Sequence, residues 1–169
     1  MRKGIFESSH PHQVYFEETL EQSLNHVLCE LKELNILVAT NTSLADSAAM
    51  QRIKNILKPQ NVIICTGLKA HSPRNDVIKV SKILRENNIN ITLGLGGGSV
   101  CDTLKVANIG ATNGFNCIED IDQLKEEKQF RPPQSKLIAL PTTLSAGEFT
   151  CFAGITDERI PAKEVFFNK

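Results

Sequence analysis

The sequence predicts an α/β domain built on a doubly wound, mostly parallel sheet with helices on both faces. Short apolar runs, which are typical of buried strands, alternate with longer segments whose apolar residues recur at helical spacing. A glycine-rich turn follows one of these strands and leads directly into a helical pattern. In sheets of this kind, ligands bind beyond the carboxyl ends of the strands.

The strands are predicted at residues 35–39, 61–65, 90–93 and 136–140, and the helices at 16–34, 43–57, 73–87 and 99–109. Leu20, Leu24, Val27 and Leu28 give the first helix its helical spacing. Ser43 is the expected N-cap of the second helix, and Pro73 stands near the first turn of the third. Residues 115–128 are expected to be irregular and then helical.

A chain of 169 residues fits one domain with a core of its own. We expect residues 1–12 to form a flexible tail and residues 13–169 to form the domain. Basic and acidic residues balance at 19 each, which excludes a general attraction to nucleic acid or to an anionic membrane. The five widely spaced cysteines form no CxxC pair, and no apolar run has membrane-spanning length. These features predict a soluble cytoplasmic protein with reduced thiols.

Residues 94–105, GLGGGSVCDTLK, carry the strongest chemical signal. Gly96, Gly97 and Gly98 let the backbone approach a bound group closely, and Ser99 opens a helix whose first N–H groups favour an anion. A phosphate or pyrophosphate is the natural ligand, although a simple tight turn is the alternative. The turn is not a P-loop, because no Gly-Lys-Ser/Thr follows, and it is not GxGxxG, because Asp102 stands where the third glycine would pack.

Two further groups of polar residues have open interpretations. Asp102 and Lys105 lie three residues apart on the helix and form either a surface pair or, for Asp102, an acceptor for a ribose or nicotinamide group. Thr142 and Thr143 follow the last predicted strand and either bind a nucleotide or belong to an ordinary loop. His71 precedes Ser72 and Pro73 in a strand-to-helix loop and could face the same cleft. None of the four histidines has the ligand spacing of a metal site.

Taken together, the two loops resemble a known family. GGGSVCDTLK resembles the GGGSxxDxxK signature of iron-containing alcohol dehydrogenases, and PTTLSAGEFT resembles their PTTxGTGSE segment. The second segment has one residue fewer before Glu148, which is closer to the maleylacetate reductase branch. Residues 154–157 are also similar to the family, and the resemblance extends over about residues 14–163.

The resemblance implies a Rossmann-like domain that binds NAD or NADP, followed by a helical domain that holds a divalent metal, iron or zinc. By this resemblance, Gly97, Gly98 and Ser99 match the loop that binds the pyrophosphate, and Asp102 matches the acid beside the nicotinamide ribose. Thr142 and Thr143 match residues that contact the cofactor on its adenine and phosphate sides. Lys163 matches a lysine that contacts the cofactor. Asn41 stands where NAD-selecting members often carry an aspartate, which leaves the choice between NAD and NADP open.

The family's metal ligands are one aspartate and three histidines of the helical domain, and this sequence has no histidine after His71. We therefore expect no catalytic or metal-ligating residue in this chain and expect the helical metal-binding domain to be absent. The chain would be the cofactor-binding half of an NAD(P)-dependent oxidoreductase that moves hydride to or from a carbonyl or enone carbon. It would be inactive alone, would serve a small carbonyl or alcohol substrate, and would form a homodimer through a bared apolar face.

Two alternatives remain. The chain could be a stand-alone nucleotide-binding module or a truncated remnant without catalysis. It could also be a relative of glycerol dehydrogenase or dehydroquinate synthase, although the short PTTLSAGE segment argues against this.

Overall fold

The computed structural model describes residues 4–7, 13–29, 34–126, 129–160 and 162–167. The strands in chain order are β1 (Gly4–Glu7), β2 (Gln13–Phe16), β3 (Asn35–Thr40), β4 (Asn61–Cys65), β5 (Ile91–Gly96), β6 (Lys136–Pro141), β7 (Phe152–Asp157) and β8 (Ala162–Phe167). The α-helices are α1 (Leu20–Leu28), α2 (Ala48–Leu57), α3 (Arg74–Glu86) and α4 (Gly98–Asn113). Short 3₁₀ segments span Thr42–Leu44, Ile118–Lys125 and Gly147–Phe149.

A four-stranded parallel sheet in the order β4-β3-β5-β6 forms the centre of the domain. Alternate side chains of its strands enter two separate apolar layers. Ile36 and Val38 of β3 pack in the layer that contains residues of α1 and α2, whereas Leu37 and Ala39 pack in the layer that contains residues of α3 and α4. The sheet is therefore covered on both faces, and the prediction of a doubly wound α/β fold is confirmed.

The most deeply embedded helix is α4, which begins at Gly98, two residues after the end of β5, and ends at Asn113. Gly114 follows it in the left-handed conformation with φ 82°. Its residues contact the sheet, α3 and β7, and Leu104 and Ala107 have no exposed surface. Since α4 is packed on several sides, its first turn is held firmly in place.

The boundaries of the first two helices differ from the prediction. Helix α1 begins at Leu20, because Thr19 forms a capping box with Gln22, and Phe16 belongs to strand β2. The described part of the helix ends at Leu28, and residues 30–33 of the predicted span lie outside the described residues. Ser43 is not the N-cap of α2, because a 3₁₀ turn capped by Asn41 intervenes and Ser47 accepts the capping bond from Met50 N–H.

Two antiparallel hairpins were not predicted. Within the stretch expected to be a flexible tail, Gly4–Glu7 pairs with Gln13–Phe16, and residues 1–3 and 8–12 lie outside the described residues. Near the other end of the chain, β7 pairs with β8, and the inward-facing Ala153, Ile155 and Phe166 join the layer that contains α3 and α4. The second hairpin thereby packs against α4 through β7.

A buried guanidinium fixes this second hairpin. Arg74, the first residue of α3, has no exposed surface. Its Nη2 lies 2.7 Å from Asp122, 2.5 Å from Glu164 and 3.3 Å from Asp157, and its Nη1 donates to the carbonyl of Ile118 at 2.7 Å. One side chain thus joins α3, the 3₁₀ segment and both strands of the hairpin.

Lys125 and Arg159 complete this ion cluster. Lys125 lies 2.9 Å from Asp122 and 2.6 Å from Glu164, and Arg159 lies 2.6 Å from Asp157. Hydrogen bonds from Arg159 outweigh the effect of burial and lower the pKa of Asp157 to about 2. A hydrogen bond from Arg74 likewise holds the pKa of Asp122 well below its usual range.

None of the helices within the described ranges combines the length and apolar character needed to cross a membrane.

Replacement of Arg74 by methionine should lower the free energy of unfolding by about 3–5 kcal/mol, because it leaves clustered carboxylates without their central cation. The matched control is Arg85→Met on the same helix, whose exposed guanidinium bonds Phe115 O and Asn116 Oδ1 and should cost about 1 kcal/mol. Urea unfolding at neutral pH measures both values. Equal losses in the two variants would contradict a special role for Arg74.

The depressed carboxyl pKa values predict a loss of stability in acid. A carboxyl group whose pKa is lower in the folded state contributes stability that is present above its unfolded pKa, and this stability is lost as the pH falls through the folded pKa. For Asp157, with a reference pKa of 3.8 and a folded pKa of about 2, this interval runs from about pH 4 to about pH 2. Asp157→Asn should flatten the decline in urea midpoint over this interval, and an unchanged slope would refute the assignment.

Candidate dinucleotide site

The strand order places a cleft at the carboxyl ends of β3 and β5. Strand β4 lies on one side of β3, whereas β5, the next strand along the chain, lies on the other side. The connections after β3 and β5 therefore leave in opposite directions, and such a switch point is where open α/β sheets bind ligands. Asn41 follows β3, and the glycine turn at residues 96–98 follows β5.

Glycine is required in this turn because other chain segments approach it closely. A Cβ atom added at Gly96 would lie 2.5 Å from Cγ2 of Val100. At Gly97 it would lie 2.8 Å from Oγ1 of Thr143, and at Gly98 it would lie 3.0 Å from Oγ of Ser145. The glycines therefore allow the start of α4 and the loop after β6 to pack directly against each other.

The start of α4 offers unpaired hydrogen-bond donors. Gly97 is the N-cap and has no side chain to cap the helix, and the N–H groups of Val100 and Cys101 bond back to its carbonyl. The N–H groups of Gly98 and Ser99 make no hydrogen bond to the described residues. These donors, together with the helix dipole, suit a phosphate oxygen.

The loop after β6 lies beside the glycine turn. Pro141 is opposite Gly96 in the parallel register, and the N–H of Thr142 donates to the carbonyl of Gly96 at 3.0 Å. Thr142, Thr143 and Ser145 are exposed at this edge. The prediction that the two motifs meet at one edge of the sheet is confirmed.

Asp102 and Lys105 each bind a segment distant in sequence, which differs from the surface pair considered above. The Oδ2 of Asp102 accepts a hydrogen bond from the N–H of Gly154 on β7 at 3.0 Å. Lys105 Nζ donates to the carbonyls of Gly147, Thr150 and Phe152 at 2.5, 2.7 and 2.8 Å. Both side chains therefore tie α4 to the loop and hairpin that enclose the cleft.

Lys163 reaches the same region from β8. It is opposite Thr156 in the hairpin register, and its aliphatic stem lies over Gly154, where an added Cβ would overlap it. Because Asp102 binds the N–H of Gly154, the structure brings Asp102 and Lys163 to one glycine of β7.

Asn41 caps the short 3₁₀ turn after β3. Its Oδ1 accepts hydrogen bonds from Leu44 N–H and from the Ser43 hydroxyl, both at 3.0 Å. A backbone N–H can only donate, so the carbonyl side of the amide faces the turn and Asn41 has its NH₂ group left to offer a ligand.

Sequence reasoning identified His71 as a residue that could face the cleft, but it did not identify Ser72 or the contacts that the dipeptide His71–Ser72 makes with Ser99. Both residues have positive φ, 64° and 52°, which costs an L-residue about 1–3 kcal/mol each. The N–H of His71 donates to Ser99 Oγ at 3.0 Å, and the hydroxyl of Ser72 donates to the carbonyl of Ser99 at 2.9 Å. The serine that opens the helix at the glycine turn is therefore held by a loop that follows another strand.

Cys101 lies directly beneath the glycine turn and is buried. Burial raises the pKa of its thiol to about 11, so the thiol stays protonated. The site therefore contains no cysteine nucleophile at this position.

The residues described do not fit a catalytic metal. Asp122, Asp157 and Glu164 are the one group within the described ranges whose ligand atoms lie close enough together, within 4.8 Å. These carboxylates already surround the guanidinium of Arg74, which supplies the cation. His26 and His71 are exposed and belong to no such group, and His10 and His12 lie outside the described residues.

Comparison with known proteins relates this geometry to one family. The model of the iron-containing alcohol dehydrogenase family matches residues 11–169. A dehydrogenase of Gibberella moniliformis, FUM7, is 30% identical over 145 residues, which cover 79% of this chain and 34% of that protein. Alcohol dehydrogenase 4 of Schizosaccharomyces pombe is 28% identical over 138 residues, which cover 80% of this chain and 32% of that protein.

A solved structure shows the same fold. Sulfoacetaldehyde reductase from Bifidobacterium kashiwanohense, in complex with NAD⁺, superposes with a TM-score of 0.73 at 21% identity, over 89% of this chain and 38% of that one. The chain thus spans about a third of the length of the two curated relatives, at 34% and 32%. The family match over nearly the whole chain shows that this protein belongs to the iron-containing alcohol dehydrogenases, a family of oxidoreductases.

Proposed function

We propose that this chain binds NAD or NADP and forms the cofactor-binding part of an oxidoreductase. The observation that carries the proposal is the convergence of the glycine turn and the Thr142–Ser145 loop at the switch point. There, the N–H groups of Gly98 and Ser99 have no partner among the residues that the structure describes. Family membership supports the class of reaction, and the NAD⁺ complex of the structural neighbour supports the class of ligand.

The pyrophosphate would bind at the start of α4. Gly97 and Gly98 keep the approach free of side chains, and the N–H groups of Gly98 and Ser99 would donate to phosphate oxygens. Thr142 and Thr143 would supply hydroxyl contacts on the adenine and phosphate sides, because their loop lies directly beside the turn. These contacts fix the position of the cofactor and leave the reacting ring to other residues.

The ribose groups would lie near Asn41 and Asp102. The NH₂ group of Asn41 can donate to the hydroxyl oxygens of a free diol or to a 2′-phosphate, so both NAD and NADP remain candidates. Asp102 uses Oδ2 to hold Gly154, and its Oδ1 would accept from the nicotinamide ribose. Lys163 would bring a positive charge toward the cofactor from the hairpin.

The bound nicotinamide would supply the hydride for exchange with a carbonyl or enone carbon of a small substrate. A branch close to the maleylacetate reductases is our finer proposal, supported by the spacing of Glu148 after Thr142 and Thr143. Residues that bind substrate and any iron or zinc would lie in the part of the relatives beyond the matched third, because the described residues offer no fitting ligand set. We propose that the chain alone binds the cofactor without turnover.

Self-association and compartment are part of the same proposal. Leu144, Phe149, Phe152 and Val165 are more than half exposed beside the cleft, and such apolar surface favours association. A homodimer would cover it. All five cysteines are free thiols, which supports a cytoplasmic location.

A titration of the purified chain with NADH and NADPH should show binding that depends on Gly97. Gly97→Ala should weaken it by about tenfold or more, because the new methyl group meets Thr143 at 2.8 Å and forces the two loops apart. The control is Gly147→Ala in the same region, where the nearest atoms lie at 3.6 Å and the affinity should stay within about twofold. Absence of binding in the wild type would refute the proposal. Turnover of substrate by the chain alone would refute the part of it that assigns substrate binding to other residues of the enzyme.

Light scattering over a wide concentration range should detect a dimer that dissociates on dilution. Leu144→Ser should shift the equilibrium towards the monomer, because Leu144 is fully exposed at 107% and contributes apolar area only to an interface. Urea unfolding should be unchanged in this variant. A clean monomer at every concentration would exclude the homodimer.

A further inference from the structure

We propose that His71 and Ser72 are positioning residues that orient Ser99 to donate its hydroxyl hydrogen to a bound phosphate. This inference rests on the proposed binding of a dinucleotide at the glycine turn. Neither residue belongs to the glycine motif or to the Thr142–Thr143 loop, and both lie in the connection between β4 and α3.

The polarity of the Ser99 hydroxyl follows from its partner. The N–H of His71 lies 3.0 Å from Ser99 Oγ, and because a backbone N–H only donates, Ser99 Oγ accepts this bond. The hydroxyl hydrogen of Ser99 is therefore free to donate elsewhere. An ionised phosphate oxygen only accepts, so the bond from His71 prepares Ser99 for an anionic ligand.

Ser72 holds the main chain of the same residue. Its hydroxyl donates to the carbonyl of Ser99 at 2.9 Å, and Ser72 has no exposed surface. Ser99 is consequently fixed at both its side chain and its carbonyl, which leaves the first turn of α4 little freedom to rotate away from a ligand.

The dipeptide is itself held from the side of the hairpin. The hydroxyl of Thr156 donates to the carbonyl of His71 at 2.7 Å, and the N–H of Thr156 donates to the carbonyl of Ser72 at 3.0 Å. Thr156 thus binds the carbonyls of His71 and Ser72. Ser99 binds their donors, which are the N–H of His71 and the hydroxyl of Ser72. Both residues have the left-handed conformation, with φ 64° and 52°. In this conformation their donors reach Ser99 while their carbonyls reach Thr156.

Ser81 provides a control that separates the effect of Ser72 on nucleotide binding from its effect on stability. Ser81 on α3 is equally buried, and its hydroxyl donates to the carbonyl of Ala107 on α4 at 3.0 Å. This bond joins the same helix to the rest of the domain, but it lies eight residues after Ser99, more than two turns along α4. Ser81→Ala should therefore lower stability about as much as Ser72→Ala without changing nucleotide affinity.

The experiment is a titration with NADH and NADPH of the wild-type chain, Ser72→Ala, Ser81→Ala and Thr156→Val. Ser72→Ala should weaken binding by about fivefold to tenfold, Ser81→Ala by less than about twofold. Thr156→Val preserves shape and the backbone bond, removes the hydroxyl bond to His71, and should weaken binding by about threefold or more. It also tests the inference if Ser72→Ala fails to fold.

A double-variant cycle separates positioning from a general loss of order. In a Ser99→Ala background, Ser72→Ala should cost clearly less affinity than in the wild type, because the hydroxyl to be oriented is gone. Additive losses, or equal effects of Ser72→Ala and Ser81→Ala in a wild-type chain that binds nucleotide, would overturn the inference. No binding by the wild-type chain would instead refute the proposed function itself, and the inference would fall with it.

Discussion

The arrangement of the cleft depends on one buried cation. Asp122, Asp157 and Glu164 come from three different segments, and a single guanidinium, that of Arg74, lies within 3.3 Å of all three carboxylates. Carboxylates this close together repel one another strongly unless a cation stands between them, and the fork of an arginine can donate to several of them. A two-stranded hairpin has little stability of its own, so β7 and β8 are stabilised by this ion cluster together with the packing of Ala153, Ile155 and Phe166 in the core.

The hairpin connects this cluster to the cleft through the N–H of Gly154 and through the N–H and hydroxyl of Thr156. Asp157 and Glu164 bind Arg74, whereas Gly154 and Thr156, on the same strand as Asp157, reach α4 and the loop after β4. Lys105 extends the connection to the carbonyls around the 3₁₀ turn after Thr142 and Thr143. Asp102 and Lys105, which follow the glycine turn, therefore hold backbone groups of distant segments in place. A carboxylate acceptor binds an N–H, and an ammonium group with three hydrogens binds three carbonyls.

The elements that sequence reasoning found are those encoded by local signals. Short apolar runs and glycines are visible within a few residues, so the central strands, the glycine turn and its meeting with Thr142 could be predicted. The partners of Asp102 and Lys105 could not be, because they are backbone atoms 42 to 52 residues away. Ser43 and Ser47 have the same capping chemistry, and only the 3₁₀ turn that Asn41 caps decides that the later serine starts α2. Strands β7 and β8 are as long as β3 and β5, but charged residues and a glycine interrupt them, so they lack the continuous apolar run that identified the central strands.

The strained dipeptide shows how these contacts depend on one another. Two left-handed residues cost about 1–3 kcal/mol each, and the four hydrogen bonds that His71 and Ser72 make with Ser99 and Thr156 contribute about 1 kcal/mol each. Because the two sums are similar, neither Ser99 nor Thr156 alone can hold the loop in this conformation. The dipeptide therefore depends on the position of the hairpin, which is held both by Arg74 and by the packing of Ala153, Ile155 and Phe166 in the core. The N–H of His71 sets the polarity of the Ser99 hydroxyl, and the ion cluster supports this bond indirectly, through the hairpin and Thr156.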